Sequence, residues 1–167
     1  MFKQTRFLLP VVMLTLAGAA AAQSADPARF YKLDFVVKEL DGGKPVNSRM
    51  FSAMLGLQTP GRDNSPAVIR AGGRVPVPNG TGFNFIDLGV NIDVRDLRDV
   101  QGDLSMYVSA DISSMLQDNP GAQPIIRQNK WSGIVLVTPK KPTILFASDD
   151  LSSKHQLQLE VVATPVK

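Results

Sequence analysis

The only histidine of this 167-residue chain, His155, follows Asp149, Asp150, Ser152 and Ser153 within seven residues. An imidazole beside carboxylates and hydroxyls has the composition of a hydrolytic triad, in which the acid orients the base and the base activates the nucleophile. Such groups must converge from different elements of a fold. Here they crowd one turn-like segment, and no G-x-S-x-G elbow accompanies them. A solvated turn beside the last strand is the better reading. A small periplasmic hydrolase centred on His155 stands as the alternative function.

Asp93, Asp96, Asp99 and Asp103 form the densest acidic run. A calcium ion requires about six to eight oxygens at close range. The D-x-D-x-D-G spacing is missing, and Arg95 and Arg98 alternate with the acids. A salt-bridged loop is therefore expected, with metal binding at the Asp96 loop as its rival. Ala71-Gly72-Gly73 lacks the G-x-x-x-x-G-K of a phosphate loop, so these glycines are read as a bulge or a close backbone approach. The chain has no cysteine, which removes thiolate metal sites, a thiol nucleophile and disulfides. No enzyme activity, cofactor or metal is expected. Trp131, with Lys130 and Arg127 nearby, reads equally as a surface anchor for a partner or as a lid over the core.

The elements that must position these residues begin after a leader. Lys3 and Arg6 precede an apolar run, Phe7 to Ala19, and Ala20-Ala21-Ala22 supplies small residues for cleavage. Residues 1–22 are thus expected to be a secretory signal peptide. The run is shorter than the roughly 20 residues of a membrane-spanning helix. Residues 23–167 make one domain, exported to the periplasm or outer membrane. Without Lys3 and Arg6, 16 of the 18 Lys and Arg remain against 15 Asp and Glu, a net charge of +1. So small a charge gives no field to draw the domain onto nucleic acid.

Most of the domain alternates with period two. Tyr31, Leu33, Phe35 and Val37 share one face of a strand, and "DGGK" at 41–44 turns the chain into a return strand over Val46 to Leu57. Gln58 to Pro66 is a loop by composition. Pro76 and Pro78 mark Ala67 to Pro78 as an edge strand, and "NGTG" at 79–82 turns it back. Ile86, Leu88, Val90, Ile92 and Val94 then match Leu104, Met106, Val108, Ala110 and Ile112 across a connecting loop, Arg95 to Asp103. Phe83 and Phe85 have the opposite parity, which implies a nearby bulge or burial on both faces. Leu116 to Pro124 reads as another loop. "SGIVLV" at 132–137 is a continuous apolar run, as expected of a strand covered on both sides. "TPKKP" leads into Thr143 to Phe146, and Leu157, Leu159, Val161 and Ala163 alternate along the last strand. The expectation is an all-β domain, an antiparallel sheet or sandwich of about eight strands.

The order of "IRAGGRVPV", "FNFIDLGVNIDV", "LSMYVSADISSM", "PIIRQNKWSGIVLV" and "PTILFASDDLSS" resembles the C-terminal core of bacterial secretins, over about residues 69–153. These are the outer-membrane ring proteins of type II and III secretion and type IV pilus systems. The residues that carry the resemblance are Gly73, Val75, Pro76 and Val77; Asp87, Leu88, Gly89 and Val90; Asp111, Ser113 and Ser114; and Pro124 with Arg127. Phe146-Ala147-Ser148 replaces the glycine pair the family carries after its last core strand, and the segment from Val77 to Phe83 is short for a gate hairpin. Channel formation is therefore not carried over. The resemblance implies a β-fold related to, or convergent on, that core, and suggests a secretin-like component or accessory of a secretion or pilus system.

Together these readings point to an exported envelope domain acting by binding or assembly. Its partners are other proteins or copies of itself. Val75, Pro76, Val77 and Pro78, with Trp131, form the candidate partner-binding edge. A small outer-membrane β-barrel is the third alternative. The charged second face of the central strands and only 11 aromatic residues disfavour it.

Overall fold

A computed structural model describes residues 29–59, 65–117, 125–150 and 154–166. The expected signal segment, the middle of the 58–66 loop, residues 118–124, Ser152 and Ser153 lie outside the described residues.

Eight strands follow one another: β1 (Phe30–Asp41), β2 (Lys44–Gly56), β3 (Ala67–Asn79), β4 (Gly82–Val100), β5 (Asp103–Gln117), β6 (Ile125–Val137), β7 (Thr143–Asp149) and β8 (His155–Val166). They form two antiparallel four-stranded sheets, ordered β2-β1-β8-β7 and β3-β4-β5-β6. The expected all-β class and strand count hold. Both sheets are open, so the eight strands make a sandwich rather than the small closed barrel of the third alternative.

Local chemistry explains the tight turns. Gly42 and Gly43 take φ of 54° and 81°, and Gln101 and Gly102 take 56° and 92°. These left-handed pairs match the right-handed twist of the flanking strands. The dry faces are those the alternation marks. Leu33, Phe35, Ile92, Val94, Leu104, Met106, Val108, Leu159, Val161 and Ala163 are essentially inaccessible, and they join one core between the sheets. Burial of this kind contributes about 25 cal/mol per Å² of apolar area. The sheets are also joined by backbone, since the Gln58 N–H donates to the Leu97 carbonyl at 2.7 Å.

Three expectations need correction. Arg95 to Asp103 is not a loop. β4 runs on to Val100 and β5 starts at Asp103, leaving a two-residue turn. A bulge between Arg95 and Arg98, with Asp96 at φ 59°, resets the alternation so that Leu97 enters the core. Phe83 and Phe85 have neither of the expected causes. β3 and β4 pair without a register shift there, and both rings are exposed. Finally, β6 is not covered on both sides. It is an edge strand whose Ile134 and Leu136 face solvent while Val137 is buried.

Candidate functional site

The sheet β3-β4-β5-β6 has two free edges, and the predicted edge residues lie one group on each. Val75 to Pro78 belong to β3, and Trp131 belongs to β6. Asn79 and Gly82 face each other across a two-residue turn, with Gly80 at φ 59°. In such a hairpin the residues flanking the turn exchange hydrogen bonds, and the next pair does not. The pairs Pro78–Phe83 and Pro76–Phe85 therefore have their β3 backbone groups turned outward. Proline has no N–H there, so this end of the edge offers carbonyls without donors. From Val68 to Arg74 the same outward positions keep their donors. The usable pairing edge of β3 is thus its N-terminal half.

On β6 the indole of Trp131 is half-buried and stacks on Phe146, ring centroids 6.4 Å apart at 30°. A Cβ on Gly133 would come within 3.3 Å of that ring, so glycine makes room for it. Trp131 closes the side of the sandwich between β6 and β7. The backbone of β6 and the exposed Ile134 and Leu136, 77% and 55% accessible, are what this edge presents outward.

The outer face of the same sheet is a lattice of ion pairs. Arg70 bonds both oxygens of Asp93 at 2.7 and 3.0 Å, and Arg74 Nε donates to Asp87 Oδ1 at 2.8 Å. Lys130 lies 3.3 Å from Asp111. The Arg74 hydrogen bond and charge hold the Asp87 carboxyl below its ordinary pKa, and Asp87 raises Arg74 in return. A face built this way suits water, not lipid hydrocarbon.

The acidic run does not assemble. Asp93 is taken by Arg70, Asp96 sits in the bulge 3.7 Å from Arg95, and Asp99 Oδ1 accepts the Gly102 N–H at 3.0 Å. Among the described residues no three acidic or histidine side chains are grouped to hold a metal. Asp149 accepts a hydrogen bond from Gln156 at 2.7 Å, and Asp150 is ion-paired with Arg127. His155 begins β8 opposite Asp41 and lines the mouth of the sandwich. This cavity of about 340 Å³ also takes in Glu39, Arg49, Ser113 and Arg127. Of the triad candidates, Ser152 and Ser153 lie outside the described residues. The described carboxylates are committed to Arg127 and Gln156.

Gly72, read from the sequence as part of a bulge or a close backbone approach, makes that approach against Gly89. A Cβ on Gly72 would sit 1.9 Å from the Leu88 oxygen, and one on Gly89 2.1 Å from the Ala71 oxygen. The Gly89 N–H donates to Ser113 Oγ at 3.0 Å. Pairing of β4 with β5 begins at this point, so the β3–β4 arms beyond it project from the sheet.

No family model matches the chain, and no curated protein matches it. Solved structures do match the fold. The β-barrel of the InvG secretin domain from the Salmonella SPI-1 injectisome superposes with a TM-score of 0.54 at 10% identity, over 84% of this chain and 64% of that one. The type II secretin GspD of enteropathogenic Escherichia coli gives 0.51 at 10% identity, over 84% and 69%. This is the secretin fold. The likeness reaches well beyond residues 69–153, although the chain spans only about two-thirds of either secretin chain.

Proposed function

We propose that the chain is an exported component of the bacterial envelope that acts without catalysis, by assembling through the edges of its β3-β4-β5-β6 sheet. The observation that carries this reading is the pair of free edges on one even-stranded antiparallel sheet. With four alternating strands, β6 of one copy runs antiparallel to β3 of the next. Head-to-tail addition then continues one sheet from copy to copy, and a rotation that closes gives a ring. The secretin fold supports the reading, because the matched InvG structure is described as a secretin-domain β-barrel. The water-suited ion-pair face would line such a wall on its aqueous side.

The test is size-exclusion chromatography with light scattering and electron microscopy of the processed protein. Oligomers are expected. Val68→Pro removes one outward-facing donor from β3 at an exposed position and leaves the bonds to β4 intact. This variant should shift the population toward monomer while keeping the β spectrum. A wild-type protein that stays monomeric in both buffer and detergent would overturn the proposal.

A further inference from the structure

The edges of the β3-β4-β5-β6 sheet match in more than direction. On β3 the backbone groups that point outward belong to the even residues from Val68 to Arg74. Their partners on β4, such as Asn91 and Asp93, turn the other way and bond Asp111 and Ser109 of β5. The even residues of β5 then bond β6, as Ala110 does with Trp131 and Val108 with Gly133. Outward backbone groups on β6 therefore belong to even residues as well. On both strands these even side chains share the outer face, where Arg70 meets Asp93 and Lys130 meets Asp111. A β6 laid antiparallel on the β3 of a second copy continues hydrogen bonds and faces together only where even residues meet even residues. A slip of one residue breaks both.

Three such registers keep all the outward donors of β3, at 68, 70, 72 and 74, within the span of β6. They set Val68 against Ser132, Ile134 or Leu136. The first puts Lys130 directly opposite Arg70, and the last puts it directly opposite Arg74. Like charges in that position destabilise a ladder. The middle register lays Lys130 over Gly72, which has no side chain. Arg70 and Arg74 are then diagonal to it, each already paired with its own aspartate. We infer that copies of this chain join in the middle register, with Ile134 of one against Val68 of the next. The inference rests on the edge assembly proposed above and names the residues that meet in it. Apolar matching agrees with the charges. Ile134 is 77% accessible and Val68 51%, and in this register each covers the other. On the inner face Gly133 meets Ile69 and Trp131 meets Ala71, a small residue against a large one each time.

The absence of cysteine gives a clean test. Within one copy β3 and β6 lie three strand spacings apart, about 14 Å, beyond the roughly 7 Å that a disulfide spans. A bridge between them must therefore join two copies. Val68→Cys with Ile134→Cys, oxidised and run on a non-reducing gel, should give a ladder of covalent oligomers that a reductant collapses. Val68→Cys with Ser132→Cys, and Val68→Cys with Leu136→Cys, should crosslink about tenfold less. Equal or better crosslinking by either comparison pair would overturn the register and leave edge assembly standing. No ladder from any pair, in variants that still form oligomers by light scattering, would overturn the register and move assembly to another surface. A wild-type chain that is monomeric would remove the proposed function and the register with it. A charge pair reads the same contact without cysteine. Ile134→Lys and Val68→Glu should each weaken assembly about fivefold, and together they should restore most of it. A double variant that assembles no better than the single ones would also overturn the register.

Discussion

At the scale of single residues, two glycines show how backbone geometry is written into the chain. Gly89 has φ of 143°, a conformation that side chains resist, and a Cβ there would run into the backbone of Ala71 and Gly72. Neither obstructing group is a flexible side chain that can move aside. Gly89→Ala should therefore destabilise the fold by about 1–3 kcal/mol or more, read as a lower urea midpoint. Gly73→Ala is the control. It is one position away from Gly72, its added methyl would meet nothing within 4 Å, and its φ is not positive. It should stay within about 0.5 kcal/mol of wild type. A Gly89→Ala variant as stable as Gly73→Ala would show that the close approach is not needed.

At the scale of elements, the projecting hairpin carries the exposed Arg74–Asp87 ion pair at its base. The Asp87 carboxyl has a lower pKa folded than unfolded, because Arg74 donates to it and adds its charge. Its contribution is therefore present above the unfolded value, about 3.9, and is lost as pH falls through the folded value. The protection of the Val75 to Ile86 amides, taken relative to the intrinsic exchange rate at each pH, should fall below about pH 4, and the same pair should weaken near 1 M salt. Protection that does not change on acidification would remove the pair from any role in holding the hairpin. Strand faces were legible in the sequence because alternation has a fixed period. Tyr31 to Val37 and Leu104 to Ile112 lie as their spacing predicts. The bulge at Asp96 was not legible, since one extra residue shifts parity without leaving a mark of its own. β6 misled for a different reason. A continuous apolar run tells that both faces are apolar, not that both are covered, and an edge that awaits a partner has the same composition. The paired use of β3 and β6 as edges of a single sheet needs the topology, because their residues are distant in the chain.

At the scale of the whole molecule, one core serves both sheets, so the proposed assembly would depend on folding. Phe35 reaches that core from β1 and is fully buried, while the edges proposed for assembly, β3 and β6, belong to the other sheet. No disulfide shares the load, since the chain has no cysteine. Removing the Phe35 ring leaves a cavity that neighbouring strands can close only in part. Phe35→Ala should therefore cost about 3–5 kcal/mol, a large share of the roughly 5–15 kcal/mol that holds a domain together. Because the two sheets lose their shared interior together, chemical unfolding followed by circular dichroism should show one transition, moved to lower urea. Assembly should fall with it, although Phe35 lies on neither edge of the assembling sheet. The contrast with Val68→Pro is what gives the measurement its force: one variant loses oligomers with its fold, the other loses oligomers while keeping it. If Phe35→Ala unfolded in two separated steps, with the β3-β4-β5-β6 sheet outlasting its partner and still assembling, the common core would not be what sustains the edges.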